Sequence, residues 1–205
     1  MENIFKPITD TYNKYINNEE VKDSIKIYDV ADLINRSIII QDIFEDTGTE
    51  INNFIRFWNL KDYGLETKKK EPIKIYINSP GGDLVQALSI VDSIRLSKTP
   101  IWTINIGKAY SAGLLIFIAG HKRIAYPNSS FLFHEGSIYT GGDAHKFQNQ
   151  ADFYKLQRKR TKNFILSNTK ITEEIYNKYE KDDWWLFSED ALNYGIVDEV
   201  AETFI

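Results

Sequence analysis

Large apolar side chains recur along this chain with two periods, and the switching between them lays out a fold. Ile73, Ile75 and Ile77 stand two apart in IKIYINS (73–79), the spacing of a strand with one covered face. Ile51, Phe54, Ile55 and Trp58 fall at i, i+3, i+4 and i+7, the spacing of a helix with one covered face. Short runs rich in β-branched residues predict further strands in SIKIYDV (24–30), RSIIIQDI (36–43), PIWTINIGK (100–108), RIAYP, SSFLFHE and IVDEV. Between them, Leu84, Ala87, Leu88 and Val91 mark a helix over about 83–97 that follows a turn at SPGGD. SAGLLIFIAG (111–120) reads as a short buried helix closed by Gly120. A long helix is expected from Asp143 to about Asn168, and a shorter one near 172–180. SEDALNYG (188–195) reads as a last helix with Ser188 as its N-cap and Gly195 as its C-cap. Strands alternating with helices imply βαβ units, right-handed crossovers and a mainly parallel sheet, an α/β fold. Residues 1–24 are polar and weakly patterned and are expected to form an N-terminal arm, leaving 25–205 as a single domain.

Composition narrows the chemistry. The chain has 205 residues, 42% hydrophobic and 26% charged, which is ordinary for a globular domain. A net charge of −4 gives no basic field for nucleic acid or anionic lipid. The five bases of KLQRKRTK (155–162) carry no aromatic interleaving and read as a solvated helix face. There is no cysteine, so disulfides and thiolate chemistry are excluded, and three histidines make a histidine-rich metal site unlikely to form. No metal or cofactor is expected. The first residues lack the pattern of a signal peptide, and LLIFIA (114–119) is far too short to span a membrane, so a cytoplasmic protein is expected.

The segment GKAYSAG (107–113) places a hydroxyl, Ser111, at the threshold of the most apolar stretch. A serine there can be a plain helix cap. It can also be a nucleophile presented on a strand-to-helix turn, with small residues on both sides so that another chain can approach. A serine hydroxyl needs a base, and His134, at the end of SSFLFHE, is better placed than His121 in a charged turn or His145 in the opening turn of a long helix. An acid should fix the histidine tautomer. Among 29 acidic residues, Asp182 and Asp183 stand before the aromatic WWLF, although an ordinary acidic turn would look the same. NSPGGD (78–83) lacks phosphate-loop spacing and suits an oxyanion hole better, with donors from Gly82 and from Ala112.

Taken in order, YINSPGGD, GKAYSAG, YPNSSFLFH and DWWLFSEDALNYGIVDEV resemble the proteolytic subunit family of the Clp protease over roughly residues 36–200. The resemblance implies the ββα-spiral fold shared with crotonases, with a long handle-type helix over about 143–168. It implies a serine peptidase with Ser111 as nucleophile, His134 as general base and Asp183, eight residues before Ala191, as the orienting acid. Gly82 and Ala112 become the oxyanion donors. The segment Gly81, Gly82, Asp83 and Leu84 becomes an edge that pairs with an extended substrate. By the same resemblance the substrate is a peptide or unfolded protein. The chain would form a homo-oligomer, a heptameric ring or double ring, and an ATPase unfoldase would be its partner. Three features depart from the family pattern. Tyr110 stands where a small residue is usual, which would narrow the cleft or change its specificity. Asp182 replaces an arginine, and the glycine pair after the histidine is displaced to Gly141 and Gly142. Three other readings stay open: a non-catalytic ring subunit or scaffold, a crotonase-like acyl-CoA enzyme, and a Ser–Lys enzyme using Lys108 or another lysine as base.

Overall fold

A computed structural model describes residues 32, 35–136 and 143–205. The polar arm (1–24), the strand read over 24–30 and the Gly141–Gly142 pair lie outside those residues. The chain divides into two compact units, Met1–Ile38 and Ile39–Ile205, and the residues singled out as candidate chemistry all belong to the second.

The elements run β1 (Ser37–Ile43), α1 (Thr47–Lys61), β2 (Ile73–Gly82), α2 (Leu84–Leu96), β3 (Ile101–Tyr110) and α3 (Ala112–Ile118). They continue with β4 (Lys122–Ala125), β5 (Ser130–Phe133), α4 (Ala144–Asn168), α5 (Glu173–Tyr179), β6 (Trp184–Phe187), α6 (Ser188–Asn193) and β7 (Glu199–Val200). The expected α/β fold is present, with the sheet in the order β1-β2-β3-β4-β7 and with β5 joining β3 to β6. The pairings of β2 with β3, of β3 with β4 and β5, and of β4 with β7 are parallel. The β5–β6 pairing is antiparallel.

β3 forks the sheet. Its first half, Trp102–Asn105, pairs with β4, and its second half, Lys108–Tyr110, pairs with β5. On the opposite side the register with β2 shifts at the same level, from Ile77↔Asn105 to Ser79↔Ala109. Asn105, fully buried, sutures the fork. Its side-chain amide donates to the Ser130 carbonyl at 3.0 Å and its Oδ1 accepts the Gly107 N–H at 3.0 Å. Its own carbonyl accepts the Tyr126 N–H and the Ser129 hydroxyl. A break in the ladder would otherwise strand these buried polar groups, each at a penalty of roughly 1–3 kcal/mol.

The core lies where α3 covers β2 and β3, with α2 packed between α1 and α3. Ile73, Ile75 and Ile77 are fully buried, as the alternation requires, and every residue of α3 is buried. Burying each such large apolar side chain contributes roughly 1.5–3 kcal/mol. In α1 the buried stripe is Gly48, Ile51, Ile55 and Trp58, close to the face read from the sequence.

Several local readings change. β2 does not stop at Ser79 but runs through the glycines to Gly82, and the Asp83 N–H that follows is held by the Ile43 carbonyl at the end of β1. The buried face of α2 is Ala87, Ile90, Val91 and Ile94; Leu84 and Leu88 are only partly buried, so the covered stripe begins about one turn later than read. Ser188 does not cap α6. It is fully buried and donates its hydroxyl to the carbonyls of Tyr126 and Ser129. Gly120 closes no left-handed turn; a Cβ there would collide with the Thr103 side chain, so packing dictates the glycine. Gly195, in contrast, has φ 65° and ends α6 as expected. Among the described residues, no helix is long and apolar enough to cross a membrane.

Candidate active site

The candidate residues converge because parallel strands end together. β2 ends in Gly81–Gly82, β3 delivers Ser111, and β5 delivers His134, all at the C-terminal ends of their strands, the edge at which open α/β sheets bind ligands.

Ser111 is held in an unfavourable backbone conformation, φ 52° and ψ −120°, which L-residues rarely adopt. Its N–H donates to the Leu132 carbonyl on β5 at 3.0 Å, extending the β3–β5 ladder by one bond. Its carbonyl accepts from Leu114 and so starts α3. With both backbone groups engaged, the chain turns sharply at this residue. The hydroxyl makes no capping bond although Ser111 occupies the N-cap position. The plain-cap explanation for this serine therefore fails. Gly81, φ 104°, packs directly behind it: a Cβ on Gly81 would lie 2.9 Å from the Ser111 Cβ and 3.0 Å from the Tyr110 carbonyl.

Ser111 opens on a cavity of about 610 Å³ that also takes in His134, Gly82, Asp83, Leu84 and Ala112. Leu114, Leu132, Phe133 and Trp184 give it apolar wall. The lining also takes in Tyr154, Arg158 and Thr161 of α4, Tyr176 of α5 and Glu180 just after it.

His134 follows the last residue of β5 and is exposed. His121 is engaged elsewhere: its Nδ1 accepts the Ile101 N–H at 2.9 Å, and burial pushes its pKa below the ordinary imidazole value. His145 lies in the first turn of α4, away from the cavity lining. The β5–β6 register runs Ser130↔Phe187, Phe131↔Leu186, Leu132↔Trp185 and Phe133↔Trp184. Carried one residue beyond the ladder, that register sets His134 opposite Asp183, with Asp182 one position off. Both aspartates are exposed. Among the described residues no hydrogen bond joins the side chains of Ser111, His134 and Asp183, and Asp183 is not among the cavity-lining residues.

The glycine segment is more committed than its sequence suggests. The Gly81 N–H donates to the buried Ser79 Oγ at 3.0 Å. Asp83 is the N-cap of α2: its Oδ1 accepts the Gln86 N–H at 2.9 Å, its N–H goes to Ile43 and its carbonyl to Ala87. Leu84 is the first residue of the helix. Within 81–84, the Gly81 N–H and both backbone groups of Asp83 are therefore already engaged. Ala112 is the first residue of α3, and its N–H has no acceptor inside the helix.

Tyr110 does not narrow the cavity. Its ring meets Trp185 edge-on at 5.1 Å and its hydroxyl lies 2.7 Å from Ser130 Oγ, because adjacent strand residues face opposite ways. Lys108 is likewise absent from the cavity lining, which removes the geometric basis for its use as the base.

Three contributors escaped the sequence reading. Ser79 supports the glycine turn, and Asn105 sutures the fork behind the serine. Arg158, from the basic run read as solvated, reaches Glu135 and Glu180 at the cavity. The first two are polar residues inside apolar strands, which is a readable signal; nothing in the run of bases separates Arg158 from its neighbours.

A family model described as Clp protease matches residues 19–204. The ATP-dependent Clp protease proteolytic subunit of Deinococcus radiodurans is 33% identical over 135 residues, 65% of this chain and 66% of that protein. Proteolytic subunit 3 of Rhizobium etli is 34% identical over 140 residues, 67% of this chain and 72% of that protein. Among solved structures, a single-substitution mutant of ClpP1 from Listeria monocytogenes is similar with a TM-score of 0.72 and 25% identity, over 83% of this chain and 94% of that one.

Proposed function

The chain belongs to the Clp protease family, and from that premise we propose that it is a serine endopeptidase acting through an acyl-enzyme, with Ser111 as nucleophile, His134 as general base and Asp183 as orienting acid. The observation that carries this reading is Ser111 itself, a serine held at φ 52° with an uncapped hydroxyl, opening on the same cavity as His134. Strain of this kind persists only where surrounding structure enforces it, and it gathers at reacting groups. A sharp strand-to-helix turn with the serine at its apex is the shape of a nucleophile elbow.

Ser111 Oγ attacks the peptide carbonyl while His134 accepts the hydroxyl proton. The tetrahedral oxyanion forms against the N–H groups of Gly82 and Ala112. His134 then gives the proton to the leaving amine, the C–N bond breaks, and an ester to Ser111 remains. Water, deprotonated by His134, attacks the ester; the bond to Ser111 Oγ breaks, the acid product leaves, and His134 returns the proton to Ser111. Asp183, opposite His134 in the extended register, holds the imidazole tautomer and offsets its positive charge. In the structure these side chains stand unbonded, and such bonds commonly tighten only with substrate present. The apolar wall of Leu114, Leu132, Phe133 and Trp184 suits a large apolar substrate side chain beside the cleaved bond. By extension from the relatives, named as proteolytic subunits of an ATP-dependent protease, the chain works in a homo-oligomeric ring to which an ATPase delivers unfolded protein.

The test is labelling with a fluorophosphonate, followed by peptide mapping. Modification should fall on Ser111 and be lost in His134→Ala; no modification of Ser111 under conditions where peptides are cleaved would sink the reading. The choice of acid has its own check. Asp183→Asn should slow turnover at least about tenfold, less than for a buried triad acid because water screens an exposed carboxylate. Asp182→Asn should stay close to wild type, and the reverse order in steady-state kinetics would move the acid by one position.

A further inference from the structure

The β5–β6 ladder ends at the rung Phe133↔Trp184, so no strand pairing holds the described residues that carry His134 to those that carry Asp183. The same helix grips both. From α4, Arg158 places Nη1 2.8 Å from Glu135 Oε1 and donates from Nη2 to Glu180 Oε1 at 3.0 Å. Glu135 is the residue after His134, and Glu180 lies just ahead of Asp183. One turn earlier on α4, the Tyr154 hydroxyl donates to the Gly136 carbonyl at 3.0 Å. The Arg158, Glu135 and Glu180 side chains are 37%, 36% and 29% exposed, so water screens these pairs less than pairs on an open surface.

We propose that Arg158 is a positioning residue: one guanidinium, shared between Glu135 and Glu180, fixes the segment carrying His134 against the segment carrying Asp183. The proposal rests on the Ser111–His134–Asp183 reading. Its physical basis is geometric. A planar guanidinium offers donors along two edges and can hold two carboxylates at a set separation, whereas an ammonium is a single point that cannot impose that spacing. His134 and Asp183 are exposed and have no bond to each other, so their approach depends on where the segments are pinned. A misplacement of about 1 Å in a reacting group can lower a rate by up to about a hundredfold. Arg158 is assigned no contact with substrate or with the reacting atoms.

The test is steady-state peptide hydrolysis by the full-length protein, with thermal unfolding run in parallel. Arg158→Gln should lower kcat about tenfold and leave KM within about twofold, since alignment and not substrate binding is lost. Arg158→Lys should recover part of kcat. Glu180→Gln should remove part of the effect alone and add little on top of Arg158→Gln, as expected for members of one network. An unchanged or increased kcat in a folded Arg158→Gln overturns the proposal and leaves the serine-peptidase reading intact, as does a rise in KM alone. If Arg158→Gln fails to fold, Glu180→Gln decides: wild-type kcat there overturns the proposal. Wild-type hydrolysis that persists in Ser111→Ala removes the underlying reading, and the positioning role falls with it.

Discussion

Replacing Ser111 by glycine is expected to end peptide hydrolysis and to make the protein more stable. Loss of the nucleophile should reduce the rate by about 10⁴-fold or more, to what the oxyanion donors and substrate binding supply without it. The stability gain follows from the backbone. At φ 52° and ψ −120° a side chain is strained by roughly 1–3 kcal/mol, and glycine adopts the same angles freely. Against this, glycine loses more chain entropy on folding, roughly 0.5–1 kcal/mol. The net gain should be about 1 kcal/mol, an upward shift in Tm of roughly 2–4 °C for a domain near this size. Ser111→Ala separates the two effects, because alanine lacks the hydroxyl yet keeps the Cβ. It should be as inactive as the glycine variant, with Tm close to wild type. A glycine variant no more stable than the alanine one would mean that the turn carries no such strain.

Gly82→Ala should be the most damaging single methyl in the site. Its φ of 144° is disfavoured for any L side chain, and the added Cβ would collide with the Ile43 carbonyl oxygen at the end of β1. That oxygen is fixed, because it accepts the Asp83 N–H at 2.9 Å. Relief requires β1 and the glycine turn to separate, which would also displace the proposed oxyanion donor. A loss of roughly 3 kcal/mol or more is expected, together with hydrolysis. Gly64→Ala is the control: its φ of 82° is also left-handed, but open space surrounds the position, so only about 1 kcal/mol should be lost. Denaturant unfolding of both variants measures the difference. Equal losses would show that φ alone, and not the approach of β1, dictates Gly82.

Much of this was legible beforehand because it is written locally. The isoleucine alternation of β2, the apolar stripe of α1 and the glycine that ends α6 each depend on neighbours within a few residues, and the structure has them nearly as read, with Phe54 of the α1 stripe only partly buried. The serine before an apolar helix was readable as a place, though its two explanations were separable only once the missing cap bond and the positive φ were seen. What escaped depends on distant partners. Ser188 looks like a helix cap until Tyr126 and Ser129 arrive with carbonyls to satisfy. Tyr110 looks like an obstacle in the cleft until the pleat turns its ring towards Trp185. Arg158 sits among five bases of one run, and only the folded position of Glu135 and Glu180 sets it apart. Asp183 was separated from Asp182 by family resemblance alone; the β5–β6 register now gives a physical argument for the same choice.

The fork in β3 has a consequence for how such a protein can change over time. The root of the strand answers to β4 and the tip answers to β5, with Asn105 stitched between them. Substitutions at the root are felt through β4, and substitutions at the tip through β5 and the two residues that follow these strands, Ser111 and His134. Two selective pressures that would ordinarily collide in one short strand are thereby kept apart. A lineage can retune how Ser111 and His134 are presented at the tip while the foundations of the strand drift at their own pace.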